Sequence, residues 1–228
     1  MTGVTRLFGL EGARHAVGAT VVIDTFRAFS IAAFLIDAGV TELLLADTLD
    51  EARLLAASRP GALLCGEDGG RRPPDFDLGN SPGEVVASGR LDGTTAILRT
   101  SGGTRCVRAA VTAGARPVFA ASLVVSAATF RALSGHAAAC VVAAGRAGIA
   151  RVGEDDATAD YLEALLTRGS SALPNVSQLR SGEPGTRLRT ASWAHPDDLD
   201  LCLEVDRFDF AMRSDAIGAA VRLAPVPR

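Results

Sequence analysis

Carboxylates and a glycine-rich turn are the residues of this chain whose types and spacing could do chemistry together. The turn reads Thr100-Ser101-Gly102-Gly103-Thr104-Arg105, between an apolar run and a helical pattern. Two glycines let the backbone curl, and hydroxyls flank them. Backbone N–H groups at a helix N-terminus can cradle an anion, to which Arg105 would add a planar charged fork. An ordinary strand-to-helix turn capped by Thr104 accounts for the same residues, and the sequence leaves both readings open. The acids are Asp24, Glu67, Asp68, Glu154 and Asp155. They offer hard oxygens, of which Mg²⁺ typically takes only one or two beside waters and substrate oxygens. For Glu154-Asp155-Asp156 the attraction of acids to a helix N-terminus is explanation enough without a metal. Asn80, one of only two Asn in the chain, lies in Pro74-Asp75-Phe76-Asp77-Leu78-Gly79-Asn80-Ser81-Pro82. Ser81 is placed to cap a helix starting at Pro82, and Asn80 is either functional or a turn residue.

Two motif matches fail on chemistry. Cys65 and Arg71 have the C-x₅-R spacing of a cysteine phosphatase, but Glu67 and Asp68 inside that loop would repel both phosphate and thiolate. Asp24 follows a strand as an aspartyl nucleophile would, yet Thr25-Phe26-Arg27 supplies no second Asp two residues on.

The elements that must position these groups are apolar runs alternating with helical patterns. Strands are expected near 19–24, 42–46, 62–66, 95–100, 117–121 and 140–144, and helices near 27–38, 49–58, 103–113, 124–133 and 155–166. The runs are apolar throughout, which suits strands covered on both faces. The expected fold is therefore α/β, a three-layer α/β/α sandwich. Five strands run straight into polar residues, ending at Asp24, Glu67, Thr100, Ser122 and Gly145. Since ligands bind at the carboxyl ends of strands in open α/β sheets, Asp24, Glu67, Thr100 and Ser122 are expected on one edge of one sheet. Residues 169–189, rich in Ser, Gly, Arg and Pro, read as an exposed excursion. A helix is expected at 195–202 and a last strand at 218–223.

Composition narrows the function class. Every basic residue is Arg, and the formal charge is −3. A weakly acidic chain without a basic block is a poor nucleic-acid ligand. No stretch approaches the ~20 apolar residues of a membrane span, and the opening residues lack the pattern of a secretory signal. A cytoplasmic protein is expected. Cys65, Cys106, Cys140 and Cys202 form no C-x-x-C pair and read as buried structural thiols.

In combination these residues resemble the 2-phosphosulfolactate phosphatase family. Four blocks carry the likeness, in order and at family-like spacing: Val21-Val22-Ile23-Asp24-Thr25-Phe26-Arg27-Ala28; Gly66-Glu67-Asp68-Gly69-Gly70 with Phe76-Asp77-Leu78-Gly79-Asn80-Ser81-Pro82; Thr100 to Arg105; and Ala144-Gly145 followed by Glu154-Asp155. The resemblance implies a single domain over 1–228 with a mixed, largely parallel sheet. It also implies Mg²⁺-dependent hydrolysis of 2-phosphosulfolactate to sulfolactate and phosphate, on a route to coenzyme M. Physical reading and resemblance together give Asp24, Glu67, Asp68 and Arg105 catalytic roles and assign the metal to Glu154 and Asp155. Arg27, Asn80, Ser81, Thr100, Ser101, Gly103, Thr104 and Ser122 would bind substrate. Self-association is left open. Two departures bear on the substrate: Gly102 stands where the family's loop commonly has Asn, and 145–153 carries two Arg. The alternative they leave is a non-catalytic binding protein for a small phosphorylated or sulfonated acid.

Overall fold

The computed structural model describes residues 3–218 and 220–226. In chain order the elements are β1 (Gly3–Phe8), α1 (Gly9–Arg14), β2 (Ala19–Ile23), α2 (Ala28–Asp37), β3 (Glu42–Ala46), α3 (Leu49–Ala57), β4 (Leu63–Gly66), α4 (Pro82–Ser88), β5 (Thr95–Arg99), α5 (Gly103–Thr112), β6 (Val118–Ala121), α6 (Ser126–Leu133), β7 (Ala138–Ala143), α7 (Gly153–Arg168), α8 (Val176–Ser181), α9 (Glu183–Thr190), α10 (Asp198–Cys202), β8 (Ala211–Ile217) and β9 (Ala220–Val226). The uniformly apolar runs are the buried strands: every residue of β2 and β6 is buried, as are four of the five in β3. Helix starts follow local chemistry. Thr48 caps α3 through Glu51 N, and Ser81 caps α4 through Glu84 N, with Pro82 at the first helical turn.

Successive residues of β3 face opposite layers. Leu43 and Leu45 belong to the main core, whereas Leu44 and Ala46 join Ile97, Ala52 and Phe76 beneath α3. Helices thus cover both faces of the sheet, as expected of an α/β/α sandwich. A third apolar cluster, of Leu123, Leu179, Leu188, Leu199 and Leu203, fastens α8, α9 and α10 to the body. Residues 169–189 are therefore not simply an exposed excursion. Leu179 and Leu188, sparse in a polar stretch, are 7% and 4% exposed. Burying a Leu side chain is worth about 1.5–3 kcal/mol, enough to dock two short helices. Among the described residues no helix is long and apolar enough to cross a membrane.

The nine strands form one sheet in the order β1-β7-β2-β6-β8-β9-β3-β5-β4. Two parallel blocks, β1-β7-β2-β6 and β3-β5-β4, flank the β8–β9 hairpin, and the three pairings across the hairpin are all antiparallel. The blocks therefore run in opposite senses. Along the ladder, the carboxyl ends of β2 and β6 lie on one edge and those of β4 and β5 on the other, contrary to the single-edge expectation. The ends meet nonetheless: the Gly103 N–H, at the start of α5, donates to Asp24 at 2.8 Å. Twist of roughly 20–25° per strand accumulates to roughly 100–125° over the five steps from β2 to β5, which offsets much of the reversal.

Strands β1 and β8 and helix α1 escape the sequence reading. In β8 the exposed Arg213 stands between buried Met212 and Ser214, and in β1 the exposed Thr5 stands between half-buried Val4 and Arg6, so neither shows an unbroken apolar run. The expected strand at 218–223 corresponds to β9; Ala219 lies outside the described residues.

Gly66 joins the blocks' geometry to the site. Its φ is +133°, and a Cβ there would lie 1.9 Å from the Arg99 carbonyl oxygen. Gly66→Ala should lower stability by at least about 2 kcal/mol, read by denaturant unfolding; an unchanged midpoint would contradict this placement.

Candidate active site

Asp24 follows β2 directly, its N–H bonded to Ala121 O. Its Oδ1 accepts from Ala28 N at 3.2 Å and its Oδ2 from Gly103 N at 2.8 Å. One carboxylate thus sits on the N-termini of α2 and α5 together, where backbone donors and helix dipoles favour negative charge. Gly103 is required by this approach: a Cβ would come within 2.9 Å of Asp24 and 3.0 Å of Phe29.

The same arrangement recurs at two further acids. Glu67 accepts from Ser101 N at 2.6 Å, Ser101 Oγ at 3.1 Å and Gly70 N at 2.7 Å. Asp155 accepts from Thr25 N at 2.7 Å and Gly145 N at 2.9 Å. Thr100 and Thr104 satisfy each other: Thr104 Oγ1 accepts from Thr100 N, and Thr100 Oγ1 from Thr104 N. Much of the expected anion cradle at 100–105 is therefore occupied by the chain's own groups. Its donors at Ser101 and Gly103 hold Glu67 and Asp24 rather than standing free for a ligand.

The fourth acid, Glu154, is 1% exposed. Its Oε1 accepts from Arg187 Nη2 at 2.6 Å, and its Oε2 has no partner among the described residues. Burial pushes Asp24 up to about 7, with the charges of Glu67 and Glu154 adding to it and the two N–H bonds opposing. Asp155 rises well above the ordinary carboxylate range, through burial first and then the charges of Asp24 and Glu154. Burial also raises Glu154 in spite of Arg187. Desolvation and mutual repulsion outweigh the hydrogen bonds at these three groups.

These four acids line one crevice of 560 Å³ together with Thr100, Ser101, Asn80 and Trp193. The Asn80 side-chain oxygen is buried and, like Glu154 Oε2, has no partner among the described residues. Among the described residues, no three His, Cys, Asp or Glu side chains are grouped to hold a metal ion. Any cation would rest on fewer carboxylates, completed by water or ligand oxygens.

Several expected site residues lie elsewhere. Asp68 has a 62% exposed side chain and pairs with Arg99 at 3.0 Å, turned outward beside inward-facing Glu67. Arg105 lies 3.5 Å from Asp47 and lines a different cavity. Two residues along a helix from Gly103 is a rotation of about 200°, so it cannot share Gly103's face. Ser81 is buried as the α4 cap and donates to Asp198 at 2.6 Å. Thr104 is buried in its own turn, and Ser122 is buried with an unpartnered Oγ; neither lines the crevice. Gly103 contributes through Asp24. Arg27 does line the crevice, but its charge is balanced: Nη1 donates to Asp198 Oδ2 at 2.8 Å, and its guanidinium lies 4.6 Å from the centre of the Trp193 ring.

Three crevice groups, Trp193, Arg146 and Arg187, and the buried Asp198 behind Arg27 lay outside the sequence reading. Asp198 is fully buried and also accepts from Gly83 N and His195 N, at 3.0 and 3.1 Å. It tethers α10 to Arg27 and to the start of α4. Trp193 carried one signal, being the only Trp. Arg146 lay in the Arg-bearing 145–153 segment, and Arg187 was hidden in the supposed excursion. The four cysteines are free and buried, and burial raises the Cys65 thiol, which removes the C-x₅-R reading.

The chain matches the family described as 2-phosphosulpholactate phosphatase over residues 10–215. It is 36% identical over 192 residues to a Deinococcus radiodurans protein named "Probable 2-phosphosulfolactate phosphatase", covering 78% of this chain and 76% of that one. A Thermus thermophilus protein of the same name is 35% identical over 192 residues, covering 79% and 72%.

The raised carboxyls set a direction for pH. In the unfolded chain an Asp titrates at about 3.9; in the fold burial pushes Asp24 up to about 7. A folded-state pKa above the unfolded one gives stability that is full below the unfolded value and lost as pH rises through the folded value. Thermal melts in EDTA should therefore show the protein losing stability between pH 5 and 8, with a shallower loss in Asp24→Asn. A melting temperature that rises across this window would contradict the assignment.

Proposed function

Because this chain belongs to the 2-phosphosulfolactate phosphatase family, we propose that it hydrolyses a small anionic phosphate ester with the help of Mg²⁺, either 2-phosphosulfolactate or a related phosphorylated hydroxy acid. The observation that carries this reading is the convergence of Asp24, Glu67, Glu154 and Asp155 on one crevice, three of them held by backbone N–H groups. A phosphate cannot approach four acids unaided, and a hard divalent cation is the natural partner of this donor set. Two buried acceptors without partners, Glu154 Oε2 and Asn80 Oδ1, support the same conclusion. Glu154 and Asp155 would hold the ion, with Asp24 and Glu67 nearer the reacting group. When bound, the ion would offset phosphate charge and polarise the phosphoryl group.

The protein's own contribution is position and proton handling. Asp24, fixed at the junction of α2 and α5, is placed as a general base for an attacking water, and a neighbouring cation would favour its ionised form. Its two N–H bonds fix the carboxylate, so the oxygen that accepts the proton does not wander. Glu67 is fixed in the same way through Ser101 and Gly70. Arg27, already balanced by Asp198, shapes the wall beside Trp193 rather than contributing a spare charge.

A phosphate-release screen over small phosphorylated hydroxy acids tests the proposal. Turnover should require Mg²⁺ and stop in excess EDTA. Glu67→Gln and Asp155→Asn should each lose about 10²–10⁴-fold in kcat while the protein stays folded. Full activity in EDTA would reject the cation, and binding without release from any ester would mark the protein as a non-catalytic binder.

A further inference from the structure

Among the described residues three guanidinium groups line the crevice, and two of them are already committed. Arg27 is bound to Asp198 at 2.8 Å and Arg187 to Glu154 at 2.6 Å. Arg146 makes no ion pair or side-chain hydrogen bond among the described residues. The other Arg of the same segment offers a contrast. Arg151 pairs with Asp156 at 2.9 Å and stands 4.6 Å from the centre of the Phe8 ring, so it serves the fold. Arg146, whose side chain is exposed, has no such partner among the described residues.

The backbone that carries Arg146 is tied down on every side. Gly145 N donates to Asp155 at 2.9 Å. Arg146 N donates to Ala150 O at 2.8 Å, and Ala150 N returns to Arg146 O at 3.1 Å. Gly148 O accepts from Leu10 N at 2.8 Å. Gly145 has φ +69°, and a Cβ there would lie 2.5 Å from Ala150 O. Ala147 has φ +54°, a left-handed conformation that a non-glycine residue adopts only when its surroundings impose it. The loop also abuts the turn at 100–105: a Cβ on Gly102 would fall 2.8 Å from Gly145 O. A free cation is thus presented from a fixed loop, immediately beside the carboxylates proposed to handle the phosphoryl group.

We propose that Arg146 is a specificity-determining residue that binds a second anionic group of the substrate, a carboxylate or sulfonate next to the phosphorylated carbon. The inference rests on the phosphate-ester reading and adds the element that selects among esters. The four acids and their cation would serve any phosphate monoester equally. A planar guanidinium can grip a carboxylate or sulfonate through two parallel N–H bonds. Being unpaired beforehand, Arg146 breaks no internal ion pair to do so.

Two esters of the same shape separate the contributions. 2-Phospholactate carries a carboxylate where isopropyl phosphate carries a methyl group. The readout is the ratio of kcat/KM for 2-phospholactate to that for isopropyl phosphate, in Mg²⁺, for the wild type and for Arg146→Ala and Arg146→Lys. A charge-assisted contact predicts that Arg146→Ala lowers this ratio about 10–100-fold, mainly through KM for 2-phospholactate, with Arg146→Lys in between. An unchanged ratio in Arg146→Ala would overturn the proposal. If the wild type releases phosphate from neither ester, the phosphatase reading is decided by the wider ester screen, and the assignment of Arg146 is read from binding. Trp193, the only Trp, lines the crevice and reports occupancy by fluorescence. Weaker binding of 2-phospholactate by Arg146→Ala than by the wild type would then support the anion subsite, and equal affinity would reject it.

Discussion

The structure depends on one interaction, the acceptance by Asp24 of two backbone N–H groups from two different helices. Ala28 opens α2 and Gly103 opens α5, and the strands that precede them lie in oppositely directed blocks of the sheet. A carboxylate at this junction satisfies donors that both helices would otherwise leave unpaired. It also determines what the crevice presents. A glycine-rich turn at a helix N-terminus usually offers N–H groups to an incoming anion. Here Glu67 and Asp24 take the donors at Ser101 and Gly103, so the face turned toward a ligand is acidic. The polarity of the cradle is inverted, and a cation becomes the element that would make it receptive to phosphate.

That arrangement carries a cost in stability. Hydrogen bonds to a charged group are each worth about 1.5–3 kcal/mol, and Asp24 and Asp155 have two apiece. Both still rise above the ordinary carboxylate range, because burial and neighbouring acids act more strongly. Acids kept close together and out of water are typical of sites tuned for chemistry rather than for folding. The surrounding contacts resist the repulsion: Arg187 reaches Glu154 from α9, and Asp198 ties α10 to Arg27 and α4. Arg187 of α9 and Trp193 beyond it therefore complete the crevice wall, with the small leucine core of α8, α9 and α10 holding that segment in place.

How much of this was legible follows from the kind of signal each part leaves. Strands β2, β3, β5, β6 and β7 were readable because strands covered on both faces are apolar at consecutive positions. β1 and β8 were not, since their alternating polar residues resemble a loop. Asp24, Glu67, Glu154 and Asp155, which share one crevice, could be picked out because each follows a strand or opens a helix. Asp68 and Arg105 were misplaced because adjacency in sequence says nothing about which way a side chain points: one residue past Glu67 turns outward, and two residues past Gly103 is the far side of a helix. Asp198 left no trace, since its partners Arg27 and Ser81 are 171 and 117 residues away. The oppositely directed blocks are likewise invisible locally, being fixed by where the last hairpin inserts.

Calorimetric titration with inorganic phosphate tests the inverted cradle most directly. With Mg²⁺ present, phosphate should bind at one site per chain, and in EDTA the binding should disappear because the turn's donors at Ser101 and Gly103 are held by Glu67 and Asp24. Phosphate binding of equal strength in EDTA would mean that those N–H groups are open to an anion after all, and would contradict the account.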